Sequence, residues 1–357
     1  MKEVASRVYL FLNGGSSRYR PQALRVSIST LRAFIRDRIE VAMTHDVTLP
    51  PDFVEGDVVT LAAEQAVPTP WTLPKAVMQP VWDKVTGAGV NIAIIDTGYE
   101  DHTCLPKAKI YKNFTNESDR LLNSHGIHCA SSALGREGIG AAPNAELYAY
   151  KVLAGKNGSG GSDWIAKSIK EAANDGADVI SMSLGGPSPY KPTQEALAYA
   201  FEKGSVVVAA AGNAGFNGNR NTIGYPAKFD TNVIAVGATK GPYNKQSIAS
   251  FSSGGRQLDF AVGGENIVGA VANNNFSKFS GTSMATPLLA GLYALSIEAL
   301  RLAGKPTPKD YSGWKNLFTS IAKDAGQPDF DQSFGHGIVY ADDIASILTD
   351  AMQEWGI

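Results

Sequence analysis

The chain has 357 residues, 44% of them hydrophobic and 18% charged, with a formal net charge of −2 and two cysteines. That is a globular composition, long enough for about two domains and at least one large core. It excludes a basic face for nucleic acid or anionic membrane, and a disulfide framework. No apolar run approaches the roughly 20 residues of a membrane span. The apolar stretch 8–12, with Glu3 ahead of it, is too short for a secretory signal. These features predict a cytoplasmic protein, although a secreted chain trimmed of its signal would share them.

Residues 1–70 read as a separate small α+β unit. Stretches 8–12, 39–41 and 57–61 have strand-like composition, the last after the Pro50-Pro51 breaker, and 29–38 has helical spacing. Val67-Pro68-Thr69-Pro70-Trp71 is a proline-rich boundary. From there the pattern alternates. Stretches 91–95, 146–152, 178–182, 206–210 and 233–236 are apolar almost throughout, as strands covered on both faces must be. Helical stretches at 164–175 and 193–203 separate them, and a long apolar run, 288–302, follows later. The alternation predicts an α/β domain over residues 71–357, with a mostly parallel central sheet between two helix layers. Ligands of such sheets bind off the carboxyl ends of the strands. The glycine-rich stretch 157–162 reads as a surface loop.

Three small motifs carry possible chemistry. Ser283 lies in Phe279-Ser280-Gly281-Thr282-Ser283-Met284-Ala285-Thr286-Pro287, a small-residue turn feeding the apolar run. Pro287 suits a first helical turn, and a serine there sits near unpaired N–H groups and the positive end of the helix dipole. Taken alone, Ser283 is best read as a helix cap. Asp96-Thr97-Gly98, directly after the first buried strand, is alone best read as a turn. His125 and His128 are spaced for metal, but no third ligand stands at zinc spacing, so no metal site is expected. Taken together, Asp96, His125 and Ser283 supply the carboxylate, imidazole and hydroxyl of nucleophilic serine chemistry.

That order, with separations of 29 and 158 residues, resembles the subtilisin family of serine proteases. The match rests on Asp96-Thr97-Gly98, on His125-Gly126-x-His128, and on Gly281-Thr282-Ser283-Met284-Ala285 with Pro287. An α/β-hydrolase is disfavoured, because Gly-x-Ser-x-Gly is not satisfied around Ser283. The resemblance, strongest to intracellular subtilisins, covers roughly 71–345 and implies a subtilisin-like three-layer fold. It implies that Asp96 orients His125, that His125 is general base and then general acid, and that Ser283 attacks the peptide carbonyl. Asn213, alone a loop residue after a strand, would supply the oxyanion donor. His128 would be structural. Substrate would add as a strand between Ser183-Leu184-Gly185 and Gly158-Ser159-Gly160, with glycines letting its backbone come close. Ala210, Ala211 and Gly212 would wall a specificity pocket with Gly224 at its base, a slot for large apolar or aromatic residues.

Two departures from the family stand out. Cys104 replaces a calcium-binding aspartate and the segment 128–143 is short, so the strong structural calcium site is expected to be lost and no cofactor is required. Cys129 after His128 is similar to proteinase-K-like members and is expected to be a buried free thiol. The stretch 58–67 resembles the end of a subtilisin propeptide, whose tail lies in the active site. Residues 1–70 would then inhibit the enzyme until cut; the alternative is a targeting or partner-binding module. The expected partners are protein or peptide substrates and this N-terminal segment, with no nucleic acid and no membrane. Two rivals remain open at this stage: a silent peptide-binding protein of the same fold, and a serine-carboxyl peptidase with an acidic base.

Overall fold

The computed structural model describes residues 46–48, 54–59, 68–345 and 347, all within a compact unit that runs from Thr44 to Ile357. Short strands β1 (Asp46–Thr48) and β2 (Val54–Val59) come first, followed by helix α1 (Lys75–Trp82). Next are β3 (Asn91–Asp96), β4 (Ile110–Asn113), α2 (His125–Leu134), β5 (Glu146–Lys151), β6 (Ser159–Gly161), α3 (Ser162–Asn174), β7 (Val179–Met182) and α4 (Lys191–Glu202). The chain continues through β8 (Val206–Ala210), β9 (Ile234–Lys240), β10 (Ser247–Ile248), β11 (Phe260–Gly263), β12 (Ile267–Val271), β13 (Asn275–Ser280), α5 (Thr282–Leu302) and α6 (Tyr311–Thr319).

The central sheet runs β10-β9-β8-β7-β3-β5-β4, with β11 added beside β9. Every pairing in it is parallel except β10–β9. Its inner strands are buried throughout, which is why their sequences lack the polar alternation of a one-sided sheet. Helices α2 and α5 pack together in one layer, and α3 and α4 in the other. The α/β class with a mostly parallel sheet is therefore as the alternation predicts.

The sequence puts a domain boundary near residue 70; the compact unit begins at Thr44 and includes β1, paired with β6, and β2, paired with β13. The strand expected at 57–61 overlaps β2; those at 8–12 and 39–41, and the helix at 29–38, lie outside the described residues. The stretch 157–162, read as a loop, contains an edge strand, β6.

Helix α5 is long and apolar enough to cross a membrane, but 94% of its apolar window is buried here as the core helix of the fold. Burying side chains such as Leu289, Leu292 and Leu295 stabilises it by about 2–3 kcal/mol each. Its far end is clamped. Glu298 Oε2 accepts the N–H groups of Thr86, Gly87 and Ala88 at 2.7, 2.6 and 3.1 Å, in the turn that leads into β3. Arg301 donates to Gly89 O and pairs with Asp178, whose other oxygen accepts the Asn91 N–H. One end of α5 thus fixes the start of β3 and the entry to β7, while its other end carries Ser283.

Candidate active site

Asp96 ends β3 at the carboxyl edge of the sheet, 1% exposed, and His125 opens α2 with no exposure. The His125 Nδ1 lies 2.8 Å from Asp96 Oδ1 and 3.0 Å from Oδ2. The Thr97 N–H also donates to Asp96 Oδ1 at 2.7 Å, so the carboxylate is held from two sides. Thr97 is more than part of a turn. Its Oγ1 accepts the Gly126 N–H at 2.9 Å and donates to Asn123 O, while Asn123 Oδ1 accepts the His125 N–H. A Cβ on Gly126 would lie 2.5 Å from Gly98 O, so only glycine lets α2 start directly on the Asp96-Thr97-Gly98 turn. That contact gives the physical reason for both motifs.

Ser283 is the second residue of α5 and fully buried. It converges with the Asp96–His125 pair through shared neighbours. Cys129, one turn after His125, places its Sγ 3.7 Å from His125 Nδ1 and donates to Ser283 O at 3.4 Å. Ser183, just past β7, donates to the same carbonyl at 2.7 Å, and Ser283 Oγ lies 3.4 Å from Ser183 O.

Asn213 follows β8 and is 3% exposed. Its Oδ1 accepts the Thr282 N–H at 2.9 Å and the Thr282 hydroxyl at 3.0 Å. Thr282 Oγ1 accepts the Gly212 N–H at 3.1 Å in turn. These bonds fix the amide so that Nδ2 points the other way, where it is buried without a partner. Nδ2 is 3.1 Å from where a Cβ on Gly281 would stand, two residues before Ser283. An unsatisfied buried donor costs about 1–3 kcal/mol, so a fold that keeps one beside a serine calls for an explanation.

The segments expected to meet substrate are joined through their backbones. Gly186 and Tyr225 exchange backbone hydrogen bonds at 2.8 and 2.9 Å, joining the Ser183-Leu184-Gly185 segment to Gly224. The Gly224 N–H donates to Ala211 O at 2.9 Å, which joins Gly224 to the Ala210-Ala211-Gly212 segment. A Cβ on Gly224 would stand in ordinary contact with Gly186 O at 3.4 Å. Tyr225-Pro226 is cis. A Cβ on Gly160 would collide with Val152 O at 2.1 Å, so glycine there lets β6 seat on the core. Gly161, where a Cβ would meet nothing within 4 Å, is open instead.

The side chains of Lys151, Glu117 and Asn123 support these segments. Lys151, in register with Asp96, is buried and donates to Ser118 O and Arg120 O at 3.0 and 3.1 Å. Glu117 Oε2, 3.6 Å from its ammonium, accepts the Gly155 N–H, and Asn123 Nδ2 donates to Lys156 O. The loop before His125 is thereby tied to the loop that carries β6. The sequence cue is a lysine closing a strand that is buried from its second residue on, which needs a partner for its charge.

His128 is stacked on Phe279 at 4.3 Å and bonded through Nε2 to Ile267 O at 3.0 Å. Burial pushes it down to about 3, so it stays neutral, a core residue below the site. Both cysteines are free and buried, and burial pushes the Cys104 thiol up to about 12.

The subtilase family profile (peptidase S8) matches residues 87–337, which spans every residue of this constellation. The chain belongs to the subtilase family. It is 39% identical over 259 residues to subtilisin DY of Bacillus licheniformis, covering 71% of this chain and 89% of that one. It is 38% identical over 229 residues to the intracellular serine protease of Paenibacillus polymyxa, covering 60% and 68%. The major intracellular serine protease of Bacillus subtilis is also 38% identical over 229 residues, covering 60% and 70%. This subtilase is a serine-type endopeptidase, acting on proteins or peptides, and its Asp96–His125 pairing has the geometry of a catalytic couple.

Proposed function

We propose that Ser283 is the nucleophile, His125 the general base and then acid, Asp96 the group that orients it, and Asn213 Nδ2 the oxyanion donor. The observation that carries this reading is the orphaned Asn213 amide. Thr282 holds it by its oxygen, and its N–H₂ is buried with no partner of its own beside Ser283. Such a donor is costly in the resting fold and gains a partner when negative charge develops on a tetrahedral intermediate. In the reaction, His125 takes the Ser283 Oγ proton as the oxygen attacks the peptide carbonyl. Asp96, held by the Thr97 N–H, accepts from Nδ1 and stabilises the imidazolium. The oxyanion receives the Asn213 amide and the backbone N–H of Ser283. His125 then returns its proton to the leaving amine, and water repeats the sequence on the acyl-enzyme.

For specificity, the reading is a slot above Gly224, between Ala210-Ala211-Gly212 and Leu184-Gly185, that takes a large apolar or aromatic residue before the scissile bond. A peptide library should show that preference. Gly224→Asp should raise cleavage after Lys or Arg, relative to Phe, by about 10- to 100-fold, the worth of one charge-assisted hydrogen bond. An unchanged profile in that variant would remove Gly224 from the pocket.

The further reading is an enzyme made in self-covered form. Three observations support it. Strand β1 pairs antiparallel with β6, Thr48 opposite Ser159 and Val47 opposite Gly160, on the edge assigned to substrate. Strand β2 pairs with β13, Val54 opposite Ser280, three residues before Ser283. His125 and Ser283, which must meet substrate, have no solvent exposure. In this reading, β1 and β2 are the parts of the N-terminal segment that lie along the site. Wild-type protein should lose an N-terminal fragment while Ser283→Ala stays full length; equal processing of both would assign the cut to another protease.

Cys104 fits poorly as a calcium ligand, since a buried thiol offers no oxygen. The reading therefore has no calcium at that position and no cofactor in the chemistry. The two free thiols and the relatives named as intracellular support a cytoplasmic location.

A further inference from the structure

Lys151 closes β5 beside Asp96 and is the only buried lysine among the described residues, 1% exposed. Burying an ammonium is costly unless its N–H groups find oxygen, and an apolar residue would fill a buried strand end at lower cost. The stem runs past the Asp96-Thr97-Gly98 turn, where a Cβ on Gly98 would stand 3.3 Å from Lys151 Cδ. The head reaches the loop 117–123. Ser118 O and Arg120 O accept from Nζ at 3.0 and 3.1 Å, and Glu117 Oε2 lies 3.6 Å away.

What this loop in turn holds is a hairpin. Ala154 and Ser159 exchange backbone hydrogen bonds at 2.7 and 2.9 Å, and the chain turns between them through Gly155 and Gly158, both with positive φ. Glu117 Oε2 accepts the Gly155 N–H at 2.9 Å, and Asn123 Nδ2 donates to Lys156 O at 2.7 Å. Both bonds to the hairpin tip come from the loop that Lys151 anchors from inside. His125 depends on that loop far less. Asn123 Oδ1 does accept the His125 N–H, but α2 is buried along its whole length, Thr97 Oγ1 holds the Gly126 N–H, and Asp96 holds Nδ1.

We propose that Lys151 is a positioning residue, the internal cation that sets the hairpin 154–161 and with it the edge on which an extended peptide lies. The second half of this rests on the reading of β6 as a substrate edge. Lys151 touches no reacting atom and acts through Glu117 and the loop 117–123. Without its charge, Ser118 O and Arg120 O turn to water, Glu117 loses its counter-ion, and the hairpin tip loses its fixed support. A substrate that reaches only Ser283 and the oxyanion donor is then hydrolysed as before, whereas one that adds as a strand along Ser159 and Gly160 binds less well.

Two measurements decide the matter. Processed wild type, Lys151→Met, Glu117→Ala and the double variant are compared on a tetrapeptide p-nitroanilide and on a p-nitrophenyl ester of its last amino acid alone. Methionine keeps a stem against Gly98 and removes the charge. Glu117 is 34% exposed, so its removal leaves the fold intact even where Lys151→Met does not fold. On the tetrapeptide, kcat/KM should fall by about 10- to 30-fold in Lys151→Met, chiefly through KM, with the ester rate within about 3-fold of wild type. Glu117→Ala should show the same split, and the double variant little more, since both residues act through one loop. Equal losses on the two substrates, as a general loss of stability would give, or fully additive losses, overturn the proposal. Separately, amide exchange at Ala154 and Ser159 is measured without substrate. It should quicken by about 10-fold or more in Lys151→Met while the α2 amides stay as they were. Unchanged exchange overturns the anchor. Faster exchange with an unchanged KM for the tetrapeptide upholds the anchor and takes β6 out of the substrate groove, so failure of the earlier reading is told apart.

Discussion

Ser283→Ala should lower kcat by about 10⁶-fold with KM within a few-fold of wild type, the size of loss known when a subtilisin loses its serine. No other group can take over the attack. Cys129 is the nearest alternative nucleophile, but burial keeps its sulfur protonated and it points to the Nδ1 side of the imidazole. The variant should fold normally, because the bond it removes, Ser283 Oγ to Ser183 O, is long at 3.4 Å. His125→Ala should cost about as much, and the double variant scarcely more, since nucleophile and base act as one unit. Steady-state kinetics on the three proteins checks this. Substantially additive losses would contradict a shared proton-transfer step.

The second large effect is at Asn213. Asn213→Leu should reduce kcat by about 10²- to 10³-fold and leave KM nearly unchanged, because the amide is engaged only once negative charge has formed. Thr282→Val should act in the same direction but more weakly. It leaves the Thr282 N–H bond to Asn213 Oδ1 and removes the hydroxyl bonds to that oxygen and from the Gly212 N–H. A structural role would behave otherwise, lowering the melting temperature without a selective fall in kcat.

Much of this was legible in the sequence for definite physical reasons. A parallel sheet buried on both faces leaves runs such as Val206-Val207-Val208-Ala209-Ala210, which no other element explains as well. Asp96, His125 and Ser283 sit at element ends, where a turn or a helix start marks the chain. What escaped was set by contacts between distant segments. Strand β4 is short and half-buried, so neither period nor composition marks it. The β12–β13 hairpin turns at Asn273-Asn274, both left-handed, and this asparagine pair is the local cue for it. The roles of Thr97, Thr282 and Lys151 depend on oxygen atoms and carbonyls brought to them by folding. Gly160 could not be assigned from sequence, because substrate approach and close packing on Val152 both call for glycine.

The most direct measurement is covalent labelling of the processed protein with a fluorophosphonate probe, followed by mapping of the modified peptide. The label should appear on Ser283, within Phe279-Ser280-Gly281-Thr282-Ser283-Met284-Ala285-Thr286-Pro287, and vanish in Ser283→Ala and His125→Ala. Folded, processed protein that takes up no label, or that carries it on another serine, would contradict the account.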